Sequence, residues 1–148
     1  MGLALELSSF FDGVYVPRAV QREVNREGRF RYRLARLYET GIFLRCVAAN
    51  DTNVSLLRAE LDPGEAEALI QAQEKDAVYF IGDDRRARET ASNMGRKVVG
   101  TVGILARLNL ERKAPDVYTL VRKLRRDLKF RVSDDVLEQA IANASEPI

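Results

Sequence analysis

The sequence predicts an α/β fold, a three-layer α/β/α sandwich with a mainly parallel central sheet. Two observations carry this reading. Short apolar runs at 14–16, 42–49, 77–81 and 97–99 alternate with stretches of helical periodicity, the order expected of a parallel sheet covered on both faces. The run at 77–81, AVYFI, is apolar throughout, as in a buried strand. It passes through Gly82 into two adjacent carboxylates, Asp83 and Asp84, and a helical pattern over 85–94 begins at once. Ligands in open α/β sheets sit at such strand ends. Two neighbouring acids repel each other unless a cation, a proton or hydrogen-bond donors compensate them.

The elements follow in order. Apolar residues at 3, 4, 7, 10 and 11 make a helical stripe that Asp12-Gly13 ends. Val14-Tyr15-Val16 is a short strand, and Pro17 suits the first position of the next helix. That helix turns Val20 and Val24 inward and Arg18, Arg22 and Arg26 outward; Gly28 interrupts it. Helical spacing resumes over 30–38, with Gly41 as a C-cap candidate, and 42–49 reads as a strand. The stretch 50–60 is a weaker helix or a loop. Asp62-Pro63-Gly64-Glu65 is a strong helix start, with Asp as N-cap, Pro at the first position and Glu at the third. Gly95 closes the helix that follows 77–81, and Lys97-Val98-Val99 is the fourth strand. Helices follow at 104–110 and after Pro115. Lys129 to Val132 is extended, and Ser133 caps a last helix with Asp134 and Asp135 in its first turn, where the helix dipole favours acids.

Composition narrows the chemistry. With 148 residues and 46% apolar side chains the chain fits one domain with its own core. No apolar run reaches the length of a membrane span. The N-terminus lacks the basic start and cleavage site of a signal peptide. The single cysteine, Cys46, has no internal disulfide partner, which favours a reducing cytoplasm, and reads as buried filler. There is no histidine, which excludes the usual Ser–His–Asp and Cys–His catalysis and His-ligated zinc or iron. Carboxylate, hydroxyl, Lys and Arg remain, and carboxylates suit Mg²⁺ and Mn²⁺.

The net charge of +2 conceals a division. Residues 46–84 carry 2 basic and 9 acidic side chains, a block at −7 that contains the acidic pair. Residues 85–131 carry 14 basic and 4 acidic side chains, a block at +10. An acidic centre beside a basic flank suits a metal-dependent enzyme acting on a polyanion; solvated Arg-rich helices in ion-pair networks explain the same numbers.

Three places offer carboxylates that could converge: Glu23, on the helix after Pro17; Glu65, with Glu67, at the start of the strongly marked helix; and Asp83, with Asp84. Each also has a structural reading, as a solvent-facing residue, half of a capping box and an N-cap respectively.

The segment VYVPRAVQREV, followed by LDPGEAEALIQAQEKDAVYFIGDDRRARETASNMGRKVVGTVGIL, resembles the PIN-domain superfamily. The likeness is to a branch of archaeal and bacterial PIN-like proteins of unknown function, and it covers roughly residues 3 to 141. Its most specific parts are G-E-A-E-A, D-D-R-x-A-R and G-T-x-G-I-L. The resemblance implies a metal-dependent ribonuclease of the toxin–antitoxin type, with about four acids holding Mg²⁺ or Mn²⁺. It places Glu23, Glu65 and Asp83 as catalytic metal ligands, with Asp84 as the extra acid of this branch and Thr101 as a polar residue near the site. Arg85, Arg86 and Arg88 then contact RNA phosphates, whose oxygens match the guanidinium fork. The alternative is the same fold as a catalytically weak or inactive module binding a protein partner or RNA. A receiver-like nucleotide-binding domain is disfavoured, because no Gly-rich phosphate loop follows a first strand.

The family pattern opens with a strand carrying its first aspartate, and nothing before Val14 reads that way; Asp12 does not match it. The chain is therefore expected to be a single PIN-like domain over 1–148, incomplete at its N-terminus through a late start or a true loss. Such a chain would lack one ligand and expose an inner strand edge. A homodimer or an antitoxin-like protein partner would cover that edge.

Overall fold

The computed structural model describes residues 2–26, 28–48 and 50–146. Chain contacts divide it into two units, Met1–Val98 and Val99–Ile148.

The first unit opens with α1 (Gly2–Leu5) and a 3-10 turn over Glu6–Ser9. The expected single helix over 3–11 is broken here, where the Ser8 hydroxyl donates to the Leu5 carbonyl at 2.9 Å and competes with regular pairing. β1 (Val14–Pro17) takes Pro17 as its last residue, so the proline ends a strand and Arg18 opens α2 (Arg18–Arg26). A 3-10 turn at Gly28–Phe30 leads into α3 (Arg31–Glu39), and Gly41, at φ +77°, turns the chain into β2 (Phe43–Cys46). Ala49, the last residue of the expected strand, lies outside the described residues. Cys46 is free and buried, as its apolar setting predicted.

The ambiguous stretch after Asn50 is a helix, α4 (Asp51–Leu57), because the Asn50 side chain caps it by accepting from the Asn53 N–H at 2.9 Å. α5 (Pro63–Glu74) begins at the predicted capping box. Then come β3 (Tyr79–Ile81), α6 (Arg85–Asn93) and β4 (Lys97–Val99), which reaches the junction of the units.

The class is α/β with short strands, as the sequence predicts. β1 and β2 pair in parallel, from Val14 opposite Phe43 to Pro17 opposite Cys46. β3 pairs with β4. The four strands thus form two sheets of two strands, where one continuous sheet was expected. The core is built on α5, with Ala66, Leu69 and Ile70 packed with Val54, Leu61, Phe80, Ala87 and Ala91. Ala87 and Ala91 are one helical turn apart and fully buried. Small residues at that spacing let α6 lie close against α5.

The second unit beyond β4 is helical among the described residues. α7 (Thr101–Leu110) starts earlier than its apolar periodicity suggested, with Gly100 at the N-cap position. It buries Val102, Ile104, Leu105 and Leu108 and packs against α8 (Val117–Leu128) and α9 (Asp134–Ala142). Asp116 caps α8, and Ser133 caps α9 as predicted. Lys129, at φ +52°, ends α8 in a left-handed turn. Among the described residues no helix is long and apolar enough to cross a membrane.

Candidate functional site

The acids meet at the N-terminus of α5. A proline at the first position and a glycine at the second start this helix, and its first-turn N–H groups need acceptors. The capping box supplies them. The Asp62 side chain accepts from the Glu65 backbone, and Glu65 Oε2 accepts from the Asp62 N–H at 3.2 Å. So the structural reading of Glu65 holds. It leaves the second carboxylate oxygen of Glu65 outside the box.

α2 is held beside this helix end by two contacts. Glu67 Oε2 accepts from the Ala19 N–H at 2.8 Å, and Gln21 Nε2 donates to the Val16 carbonyl at 2.9 Å. Glu67 therefore serves the first turn of α2, a role the sequence did not suggest. Val20 and Glu23 lie three apart on one face of α2 and meet α5 at Gly64. A Cβ at Gly64 would stand 2.9 Å from Val20 Cγ2 and 3.0 and 3.2 Å from the two Glu23 carboxylate oxygens. Glycine at 64 is what lets the Glu23 carboxylate reach the head of α5.

The third contribution comes from α6. Asp84 is its N-cap, accepting from the Ala87 N–H at 2.9 Å. This too is the structural role weighed from the sequence, and it points the Asp84 charge toward Glu65. The Glu65 carboxyl is held above its ordinary range by burial first, against the lowering effect of the Asp62 N–H; Asp84, Asp62 and Glu23 then raise it further through their charges. Each charged neighbour named there is another acid. Asp83 is exposed, one residue before the cap, and it is the Asp84 charge that is felt at Glu65.

The three arginines follow directly. Arg85 is almost fully exposed and pairs with Glu89 at 2.8 Å, one helical turn on. Arg86 is exposed and Arg88 half-buried. Thr101 is the first residue of α7, in the second unit, and half-buried.

A family model described as PIN domain matches residues 2–146. The chain belongs to the PIN-domain family. The comparisons with curated proteins and with solved structures return no match.

PIN domains generally use divalent metals. In kind, the donors here fit a hard cation, which takes carboxylate oxygens. The raised Glu65 carboxyl and the opening at Gly64 show like charges brought together. In spacing the fit is incomplete, since among the described residues no three His, Cys, Asp or Glu side chains stand close enough together to hold a metal.

Proposed function

We propose that the chain is a PIN-like endoribonuclease that hydrolyses RNA phosphodiesters with Mg²⁺ or Mn²⁺. We read residues 1–148 as one domain acting in a reducing cytoplasm, as the toxin partner of an antitoxin-like protein. The observation that carries the reading is Glu65, a half-buried carboxyl whose charged neighbours Asp84, Asp62 and Glu23 are all acids. A site of that kind is relieved by a cation.

Glu23, Glu65, Asp83 and Asp84 would hold the metal, with Glu23, Glu65 and Asp83 in the catalytic roles. The metal, when bound, would supply a Lewis acid that polarises the phosphoryl oxygen and lowers the pKa of the attacking water. Glu65, its carboxyl held above the ordinary range by burial, would offer the metal the oxygen left outside the capping box. Asp62 keeps Glu65 oriented through its N–H. Arg85, Arg86 and Arg88 would bind the phosphates on either side of the scissile bond, and Arg85 would exchange Glu89 for RNA. The role of Thr101 rests on the family likeness.

A second reading has its own observation. The acids gather without closing to ligand distance, which favours a weak or inactive module that binds RNA or a protein partner, or that forms a homodimer.

Thermal melting and a cleavage gel separate the two. With Mn²⁺ at tenfold its Kd, linkage gives about 1.4 kcal/mol of stabilisation, and Asp83→Asn should remove it. Single-stranded RNA should bind with a steep salt dependence that charge reversal at Arg85 and Arg88 flattens. Mn²⁺-dependent cleavage lost in Asp83→Asn supports the enzyme. A melting temperature indifferent to millimolar Mn²⁺ reduces the acids to helix caps.

A further inference from the structure

The arginines of the first unit and its neighbour are of two kinds. Several in α6 and α8 have acidic partners: Arg85 pairs with Glu89, Arg125 with Asp134 and Arg126 with Asp127. Those of α2 and α3 differ. Residues 18–36 carry 7 basic and 2 acidic side chains. Arg18, Arg22 and Arg26 on α2, and Arg31, Arg33 and Arg36 on α3, are all exposed. Among the described residues none of the six forms an ion pair.

Helix stability does not account for this face. Arg18, Arg22 and Arg26 recur at four-residue spacing, so like charges adjoin along one side of α2 and oppose each other. Neither helix has an acid in its first turn, and both open on arginine, against the helix dipole. A bound polyanion relieves both conditions. Four residues of α-helix rise about 6 Å, close to the separation of successive phosphates in an extended single strand.

An exposed ring stands among these arginines. Tyr32 is 81% exposed, and among the described residues it has no hydrogen bond and no ring contact. Arg31 and Arg33 flank it in sequence, and Arg36 lies one helical turn on. Unpaired bases stack on aromatic rings and on guanidinium planes, whereas an acidic peptide gains from the charges alone. The same helix α2 carries Glu23 to the head of α5, so the arginine face begins beside an acid of the candidate site, with Arg26 one turn from Glu23.

We propose that the α2–α3 face is the track along which single-stranded RNA leaves the acidic cluster, with phosphates on the α2 arginines and an unpaired base stacked on Tyr32. The proposal rests on the nuclease reading for the kind of polymer. It adds a substrate class: unpaired strands long enough to run from Glu23 to Tyr32, in preference to short or duplexed ones. Arg85, Arg86 and Arg88 would serve the scissile end, and the α2–α3 arginines the strand beyond it.

The test measures binding alone, by anisotropy of fluorescein-labelled RNA with the 148-residue chain in metal-free buffer. A twelve-nucleotide single strand should bind roughly tenfold or more tightly than a trinucleotide or than the same strand in a duplex. Arg22→Gln with Arg26→Gln should reduce the slope of log affinity against log salt by about 1.4, at about 0.7 for each lost phosphate contact. Tyr32→Ala should weaken binding about fivefold or more, the lower end for one stacked base, while leaving that slope unchanged, and Tyr32→Phe should retain parent affinity. These exposed positions should leave the melting temperature within a few degrees of the parent and preserve whatever rise Mn²⁺ gives it. Binding that these substitutions leave intact, but that charge reversal at Arg85 and Arg88 weakens, would overturn the track and leave the nuclease reading standing. Equal binding of the duplex would overturn it in the same way. Tighter binding of polyglutamate than of the single strand would overturn it in favour of an acidic protein partner. Absent RNA binding would also overturn it, and Mn²⁺-dependent melting and cleavage would then judge the nuclease reading separately.

Discussion

The two ends of α5 show one helix building two different surfaces. At its N-terminus, Asp62 and Glu65 cap the helix, and the charges of Glu23 and Asp84 act on Glu65 there. Toward its C-terminus, Ala68, Gln71 and Ala72 line a mostly apolar groove beside β1 and β3. At the first end the caps follow from local helix chemistry, and only Glu23 is brought in by packing, at Gly64. The second depends on strands distant in sequence being set beside the helix with a gap between them. An end built from local rules tolerates separate substitutions, whereas one built from packing responds as a whole.

The largest effect should come from the residue between them. Leu69 is fully buried in the core cluster, and Leu69→Ala should cost about 2–5 kcal/mol by urea unfolding, disturbing both ends at once. A loss under about 1 kcal/mol would mean that the α5 core is loosely packed. Next is the cap at Asp84. Asp84→Ala should cost about 1 kcal/mol, because the Ala87 N–H loses its acceptor. Asp84→Asn keeps an acceptor and removes a charge beside Glu65, so it should melt at or above the parent temperature. Equal losses in the two variants would show that the charge of Asp84, and not its cap hydrogen bond, carries its contribution.

Gly64→Ala sharpens the view of the acidic end. The added methyl gains helix propensity but pushes on Val20 and the Glu23 carboxylate. The net change in stability should stay within about 1 kcal/mol. Any Mn²⁺-dependent rise in melting temperature should fall by half or more, since Glu23 is displaced.

The smallest effect is the pH dependence of Glu65. An acid raised in the folded state is a cost when ionised. That cost is present above its folded pKa and disappears as pH falls through that value toward the unfolded one. Metal-free protein should therefore gain stability from Glu65 on mild acidification from neutral pH. Glu65→Gln keeps an acceptor for the Asp62 N–H and should raise the melting temperature by ~2 °C at pH 7, as expected of a partly exposed group. It should also erase that part of the acid-side gain. A lower melting temperature at pH 7 would mean that the charge helps the cap more than its neighbours oppose it.

Much of this was legible in the sequence because it is local. The Asp62 to Glu65 capping box, the Asp84 start of α6, the Ser133 cap, the turns at Gly41 and Gly95 and the α/β alternation all follow from residues within a few positions of one another. The family likeness that VYVPRAVQREV and GDDRRAR carry is matched by the PIN-domain family over 2–146. What the sequence could not show is distance across the fold. That Glu67 serves the N-terminus of α2 and that Gly64 admits Glu23 are contacts between residues more than 40 positions apart. The buried amide of Gln71, without a hydrogen-bond partner among the described residues, is of the same kind. On a helical wheel Gln71 reads as a polar residue within GEAEALIQAQE, and only packing makes it buried. The division of four strands into two sheets is also tertiary, since each strand's composition specifies extended backbone but not which edge finds a partner. Local hydrogen bonding fixes where elements begin and end, and the placement of those elements decides which charges and edges face one another.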